Sequence, residues 1–555
     1  MSTSMTLIRP GIVAGFLALL LTGGCQLPPT DSADEKPITI GTSSVLSGLD
    51  PAGVYDAGSW AVFTNIYQSL LTFEPGSPTP KPDAAESCEF TSPALTTYRC
   101  ELRDGLTFSN GNVLTAAAVK HSFERILRIR DPLGPGPLFA NLVSVEARGS
   151  LVTFHLATAD ATWPSKIATG AGSVVDPAEF PADRLRKEKS ASGSGPYVIA
   201  SYTAEKSITL RPNTAYKGAV TQQGVAIELR YFETSQDVEK AWNAREVDIA
   251  YAGLPAATLA GIDPSDTDVR LFAGDSAEAH YLVLNMRSPR RPLRHAETRR
   301  ALASLVDRGH LAGEVFDHTV TPLYSLVPQG VVGHSTAFFD RYPEVDAAYA
   351  ARLLRSAGIP TPVRIRLGHQ NGIAAVEARA LKEQWEKDGL FRVQLAEERD
   401  FTTYQRRSLE GEFDVHLYQW IPDFPDADTF VQPLVGTGNV LGNGYTSAEV
   451  DHAIRDTQRF TDRSKAIRRF RAVHREGRSA DSRLAQTAPR RDALHRPGRT
   501  PPRRGRRLAT VGTAPALKRF EPSHLPHRII CVSVNAPLRV SRHTPGINSS
   551  GRGEW

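Results

Sequence analysis

Apolar and polar residues alternate from Tyr98 to Leu102, with Tyr98, Cys100 and Leu102 set against Arg99 and Glu101, and the run ends at Asp104-Gly105. Period two ending in Asp-Gly predicts a strand that closes in a tight turn. Leu106 and Phe108 repeat the alternation up to a second turn at Asn110-Gly111. The period then changes. Val119, Phe123, Ile126 and Leu127 share one face of a helix that Thr115 can cap. Elsewhere, Ile38 to Gly41 and Leu151 to Leu156 read as strands and Ala57 to Leu71 as a helix. Tyr281 to Leu284 is an apolar run that suits a buried strand. Ala347 to Ala357 and Ala374 to Trp385 are amphipathic helices, the first stopped by Gly358 and Pro360. Phe413 to Leu417 is a further strand, and a proline-stiffened loop is expected after it.

At 555 residues and 41% hydrophobic, the chain can bury more than one core. Its formal charge of +5 averages two unlike segments: residues 476–555 hold 16 Lys and Arg against 5 Asp and Glu, and the rest hold 49 against 55. The N-terminus reads as an export signal, because Arg9 precedes an apolar run, Gly11 to Leu21, too short to span a bilayer. Thr22-Gly23-Gly24 then precede Cys25. This is similar to a bacterial lipobox, with Thr22 where leucine is usual. Cys25 would then be the lipidated first residue, and an ordinary cleaved signal peptide is the alternative. Gln26 to Pro37 is polar and proline-rich, as a tether should be. Cys88 and Cys100 lie twelve apart in one expected hairpin; in an oxidising compartment they can form a disulfide, and two packed thiols are the alternative. Cys531 has no evident partner.

The residue identities in the first hairpin and helix go further than their periodicity. Leu102-Arg103-Asp104-Gly105, Phe108, Asn110-Gly111, Thr115-Ala116, Val119, Ser122 and Arg125 match in order. They resemble a segment of family 5 solute-binding proteins, the extracytoplasmic receptors of peptide and nickel ABC importers. Ala118 stands where that family usually has an acidic residue, on a turn expected to be exposed. Leu49-Asp50-Pro51, Ser194-Gly195-Pro196-Tyr197 and Arg299-Arg300-Ala301-Leu302 resemble further landmarks of the family. The resemblance implies an α/β, two-lobed type II periplasmic-binding-protein fold with an extra subdomain inserted in the first lobe. The implied order is a signal peptide (1–24), a lipid-anchored tether (25–37), lobe I (38–69 and 189–275), the inserted subdomain (70–188), lobe II (276–475) and a basic tail (476–555). It further implies a monomer that captures a small solute and passes it to an ABC permease and its ATPase, bound to the membrane through its lipid.

Tyr418 to Phe430 holds the best binding candidate. Trp420 and Asp423, three apart beside Pro422 and Pro425, can offer a stacking face and a fixed negative charge together. The segment resembles the family's W-x-x-D loop, with Ala427 replacing the usual proline. By that resemblance Asp423 pairs with a ligand's α-amino group, and Trp420 and Tyr418 line the pocket. Two blander readings stay open: a surface turn whose aspartates cap or solvate, and a calcium loop using Asp423, Asp426 and Asp428, whose spacing does not fit an EF-hand. No catalytic residue, metal ligand set or cofactor is expected. There is no H-E-x-x-H, Walker loop or strand-linked G-x-G-x-x-G, and Ser192-Gly193-Ser194-Gly195 is not a nucleophile elbow. A secreted hydrolase and a permease-independent sensor or chaperone on the same scaffold are the rival functions.

The family likeness fades after Thr461 to Val473. The last 80 residues hold nine prolines and 16 basic residues, all but Lys518 arginine. Such a composition is expected to stay disordered, and it is the mixture that GC-rich codons give when read out of frame. Nearly no aromatics interleave the arginines, so nucleic acid is not an expected partner. On this reading the tail is frameshifted from about residue 476, lobe I lacks its closing strands, and a non-functional copy is a further alternative.

Overall fold

The computed structural model describes residues 36–466, apart from 75, 223, 252, 264–268, 273–276 and 289–290, together with 528–531. The segment expected to be a signal peptide, Cys25, nearly all of the expected tether and most of the tail lie outside the described residues. Among the described residues no helix is long and apolar enough to cross a membrane.

Three larger sheets organise the described residues. The first runs in the order β12 (Val269–Phe272), β17 (Arg528–Cys531), β11 (Ile249–Tyr251), β1 (Ile38–Thr42), β10 (Ile227–Tyr231), β9 (Ser207–Pro212) and β8 (Tyr197–Thr203). Its centre is parallel, β1 pairing with both β10 and β11, while β8 and β9 add antiparallel pairs at one edge. Ile40 at the centre of β1 is fully buried, as expected for a strand flanked on both sides.

β17 corrects one expectation. The tail was expected to be without order and lobe I without closing strands, yet Arg528–Cys531 pairs in parallel with both β11 and β12. Ile529, Ile530 and Cys531 form a short apolar run inside a proline- and arginine-rich stretch. A run of that kind is what a parallel strand inside a sheet requires.

The second sheet, order β4 (Ala85–Phe90), β5 (Thr97–Leu102), β7 (Leu151–Leu156), β6 (Leu142–Arg148), is antiparallel throughout. In β5, Tyr98, Cys100 and Leu102 are buried while Arg99 and Glu101 face solvent. Cys88 and Cys100 are direct cross-strand partners and their sulfurs are bonded. The helix Ala116–Ile129 packs on this sheet, its first turn capped by Thr115, whose side chain accepts the Ala118 N–H. Ala118 itself is buried, contrary to the exposed turn expected for it: it falls on the same side as Ser122, whose hydroxyl binds the Ala118 carbonyl and the Val175 N–H. Phe123 packs edge-on against Phe139 and Phe154 at 5.1 and 4.9 Å, and Trp163 closes the group. A small ribbon, β2 (Leu71–Phe73) with β3 (Pro80–Pro82), lies between the first two sheets in sequence. The helix expected to reach Leu71 ends earlier, at Ile66. Tyr67 turns extended there and donates its hydroxyl to the Leu49 carbonyl.

Two of the sequence landmarks meet in space. Arg125, from the helix, and Asp50, from the Leu-Asp-Pro turn, form a buried two-pronged pair at 2.9 and 2.7 Å. Such a fork fixes direction as well as distance.

The third sheet runs β13 (Ala279–Leu284), β16 (Val415–Trp420), β14 (Val363–His369), β15 (Phe391–Glu397), with β13 antiparallel to β16 and the others parallel. Helices Ala347–Ser356 and Ile373–Glu386 cover one face. Trp385 is fully buried there, and its indole nitrogen donates to the Leu302 carbonyl.

Candidate functional site

β16 runs on to Trp420, because its antiparallel pairing with β13 continues as far as Ala279. Tyr418 and Trp420 are therefore strand residues, not loop residues as expected. The loop proper is 421–427, after which the helix Asp428–Val435 begins. Strand alternation puts His416, Tyr418 and Trp420 on one face of β16. Tyr418 stacks on Trp420 at 6.3 Å.

The loop then brings Asp423 to a cleft of about 1020 Å³, whose lining includes Tyr55, Trp60, Tyr418, Trp420, Asp423 and His280. Tyr55 precedes the helix Ala57–Ile66 and packs against the buried cores on both sides of it. Its hydroxyl donates to Asp423 at 2.7 Å and its ring meets Trp420 edge-on at 6.1 Å. Thr429 holds the carboxylate from the other side, accepting the Asp423 N–H at 2.9 Å and donating its hydroxyl at 3.2 Å. Among the described residues no basic side chain forms an ion pair with Asp423. Burial pushes its carboxyl up to about 7, and the hydrogen bonds from Tyr55 and Thr429, with the more distant charge of Lys166, only partly oppose this. The same burial, helped by the neighbouring Asp423, raises Tyr55 well above the usual tyrosine range.

The other two aspartates of the segment point elsewhere. Asp426 takes Arg463 in a fork at 2.7 and 2.9 Å. Asp428 is buried with Lys166 at 3.6 Å and with the Gln458 amide. Three carboxylates with three separate sets of partners do not make a calcium loop, and no cluster of three metal-ligating side chains occurs among the described residues.

Sequence reasoning missed several cleft residues. Tyr55 stands in no motif. His280 bridges Glu278 and Glu377 at 3.6 and 3.0 Å. Burial opposes its charge, but the hydrogen bonds it donates to those two carboxylates, and their negative charge, outweigh it and raise the imidazolium to about 10. His416, by contrast, is almost fully buried with no carboxylate bonded to it among the described residues, and burial pushes it down to about 4. Their neighbours, across a strand pair or on a distant helix, decide the difference. His310 and His318 are exposed.

Comparison with known proteins places this geometry. The family model of bacterial extracellular solute-binding proteins, family 5 (middle), matches residues 79–442. A probable D,D-dipeptide-binding periplasmic protein of Escherichia coli is 26% identical over 84% of this chain and 90% of its own length. A di/tripeptide-binding protein of Pseudomonas aeruginosa is 25% identical over 80% and 88%. Among solved structures, an ABC transporter-associated periplasmic binding protein of Helicobacter pylori, in complex with the peptide STSA, superposes with a TM-score of 0.69. It is 20% identical and covers 79% of this chain and 90% of its own.

Proposed function

The chain belongs to the bacterial extracellular solute-binding proteins of family 5, and from that premise we propose that it captures peptides with a free N-terminus and delivers them to an ABC permease and its ATPase. The carrying observation is Asp423, a carboxylate set in the cleft without a cationic protein partner among the described residues, beside an aromatic wall of Tyr55, Tyr418 and Trp420. A ligand ammonium supplies the missing charge, and Trp420 and Tyr418 cover the chain that follows it. The relatives' names, which speak of dipeptides and di/tripeptides, support this ligand class. Binding energy draws the lobes together over the solute, and the closed form is what the permease reads. No bond is made or broken.

The direct test compares peptides with free and N-acetylated amino ends on the wild-type protein by calorimetry. Free peptides should bind at least a hundredfold more tightly, since breaking a buried charge pair costs about 3–5 kcal/mol. Equal affinities would remove the peptide amine from the site. We further propose that the protein is anchored outside the cytoplasm by lipid on Cys25. Cys25→Ser should leave the membrane fraction or remain unprocessed, and a processed, membrane-bound variant would refute the anchor.

A further inference from the structure

The charge on the wall of the 1020 Å³ cleft is of one sign. Seven carboxylates, each from a separate segment of the chain, line it against two cations, Arg399 and His280. His416, also in the wall, is kept neutral by burial. Two of the seven are engaged locally. Asp56 accepts the Ser59 N–H at 2.7 Å and Asp400 the Thr403 N–H at 2.8 Å, each capping the helix that follows it. The two cations are engaged as well. His280 lies between Glu278 and Glu377, so two carboxylates against one imidazolium leave that group with one negative charge. Arg399 lies 3.5 Å from Glu397 and is mostly exposed. Besides Asp423, this leaves Glu205 and Glu233. Glu205 sits in the turn between β8 and β9, and Glu233 just after β10. The Tyr231 N–H bonds the Lys206 carbonyl at 2.8 Å and draws those two turns together. Both glutamates are exposed, and neither forms an ion pair among the described residues. Lys206 is not part of the cleft lining, and Arg230 is turned to Glu246 at 3.4 Å.

We infer that the cleft selects basic peptides, with a lysine or arginine side chain of the ligand lying against Glu205 and Glu233. This rests on the reading of the cleft as a peptide site. Walls of one sign with low-dielectric protein behind them focus their field into a cleft and concentrate ions of the opposite sign there. No three of these side chains gather to hold a metal among the described residues, so the charge suits an extended ligand whose cations are spaced along it. The same wall repels acidic peptides. Exposed ion pairs are individually weak and are screened by salt. The preference is therefore the sum of several charges and is largest at low ionic strength.

The test is calorimetry on the full chain with three peptides of one length, Ala-Lys-Lys-Ala, Ala-Ala-Ala-Ala and Ala-Glu-Glu-Ala, each free and N-acetylated. At low salt the lysine peptide should bind roughly tenfold more tightly than the alanine peptide, and the glutamate peptide roughly tenfold more weakly. Raising salt from about 10 mM to about 1 M, which cuts the screening length from about 30 Å to about 3 Å, should shrink both gaps to about twofold. Glu205→Gln combined with Glu233→Gln should narrow the gap between lysine and alanine peptides severalfold. Should that double variant fail to fold, the wild-type series decides alone. Equal affinity for lysine and alanine peptides at low salt, or a gap that the double variant leaves intact, would overturn the inference while leaving the Asp423 reading standing. Indifference to acetylation with the lysine preference kept would overturn the Asp423 reading alone. Binding of none of the peptides would overturn both.

Discussion

Asp423 and Asp428 are five residues apart on one segment, both deep in protein, and they have opposite surroundings. Asp428 shares a buried cluster with Lys166, whose Nζ lies 2.7 Å from Asp160 and 3.6 Å from Asp428. Thr162 and Gln458 fill the remaining hydrogen-bonding positions. Burial works to raise the Asp160 carboxyl, but Lys166 and the Thr162 hydrogen bonds outweigh it and hold it below the usual range. Asp428, further from the lysine, is raised by burial. Asp423 has hydroxyls around it and, among the described residues, no cation bonded to it, Lys166 acting on it only from a longer range. Where the chain supplies its own counter-charge, the carboxylate ties the segment 160–166 to the start of the helix Asp428–Val435. Where it does not, the carboxylate is left for a ligand. On the function proposed for Asp423, the same residue type on the same loop is structural in one place and a recognition element in the other.

The sharpest way to break this comparison is to remove the lysine. Lys166→Met leaves Asp160 and Asp428 buried without a cation and should cost about 3–5 kcal/mol of stability in urea unfolding. Neutralising all three, as Lys166→Met with Asp160→Asn and Asp428→Asn, should recover much of that loss. Asp423→Asn should act on the other quantity, lowering affinity for free-amine peptides at least a hundredfold with little cost to folding. A variant that unfolds the protein would place Asp423 with Asp428 as a structural group.

The pH dependence is smaller and has a definite sign. Only the Asp423 carboxylate attracts an ammonium, and in the free protein that group titrates at about 7. Affinity should be flat above pH 7 until the peptide amine itself deprotonates, and should fall roughly tenfold per unit below it. The smallest effect is on the stability of the free protein. The folded-state value lies above the ordinary 3.8, so the Asp423 contribution is full only below pH 3.8 and is lost progressively as pH rises from there through 7. Asp423→Asn should therefore melt higher than wild type at pH 8 and show no such gain at about pH 3.

The sequence made the loop legible but not its surroundings. Trp420 and Asp423 could be found because their spacing lies within one short segment. Asp50 and Arg125 each stood in a recognisable segment, although nothing in the chain said that they meet. Tyr55, 368 residues from Asp423, has neither spacing nor motif, because its role comes from a contact that only the fold brings together. His280 and His416 stand in no motif and look alike in sequence; their opposite charge states follow from Glu278 and Glu377 beside one and aromatic rings beside the other. The end of β16 was misjudged because a strand stops where its partner stops, and β13 was read as starting two residues later than it does. β17 was hidden by averaging: four residues of strand vanish in the composition of an 80-residue arginine-rich stretch.

The central claim is that Asp423 accepts the ligand's charge, and counting protons tests it most directly. At pH 6 the free protein holds Asp423 mostly protonated, so taking up a peptide ammonium must expel close to one proton. Calorimetric titration of the wild type with a free-amine peptide, in buffers of different ionisation heat, should read that proton. Asp423→Asn, at peptide concentrations high enough to saturate it, should release none. An equal proton count in the two proteins would contradict the account.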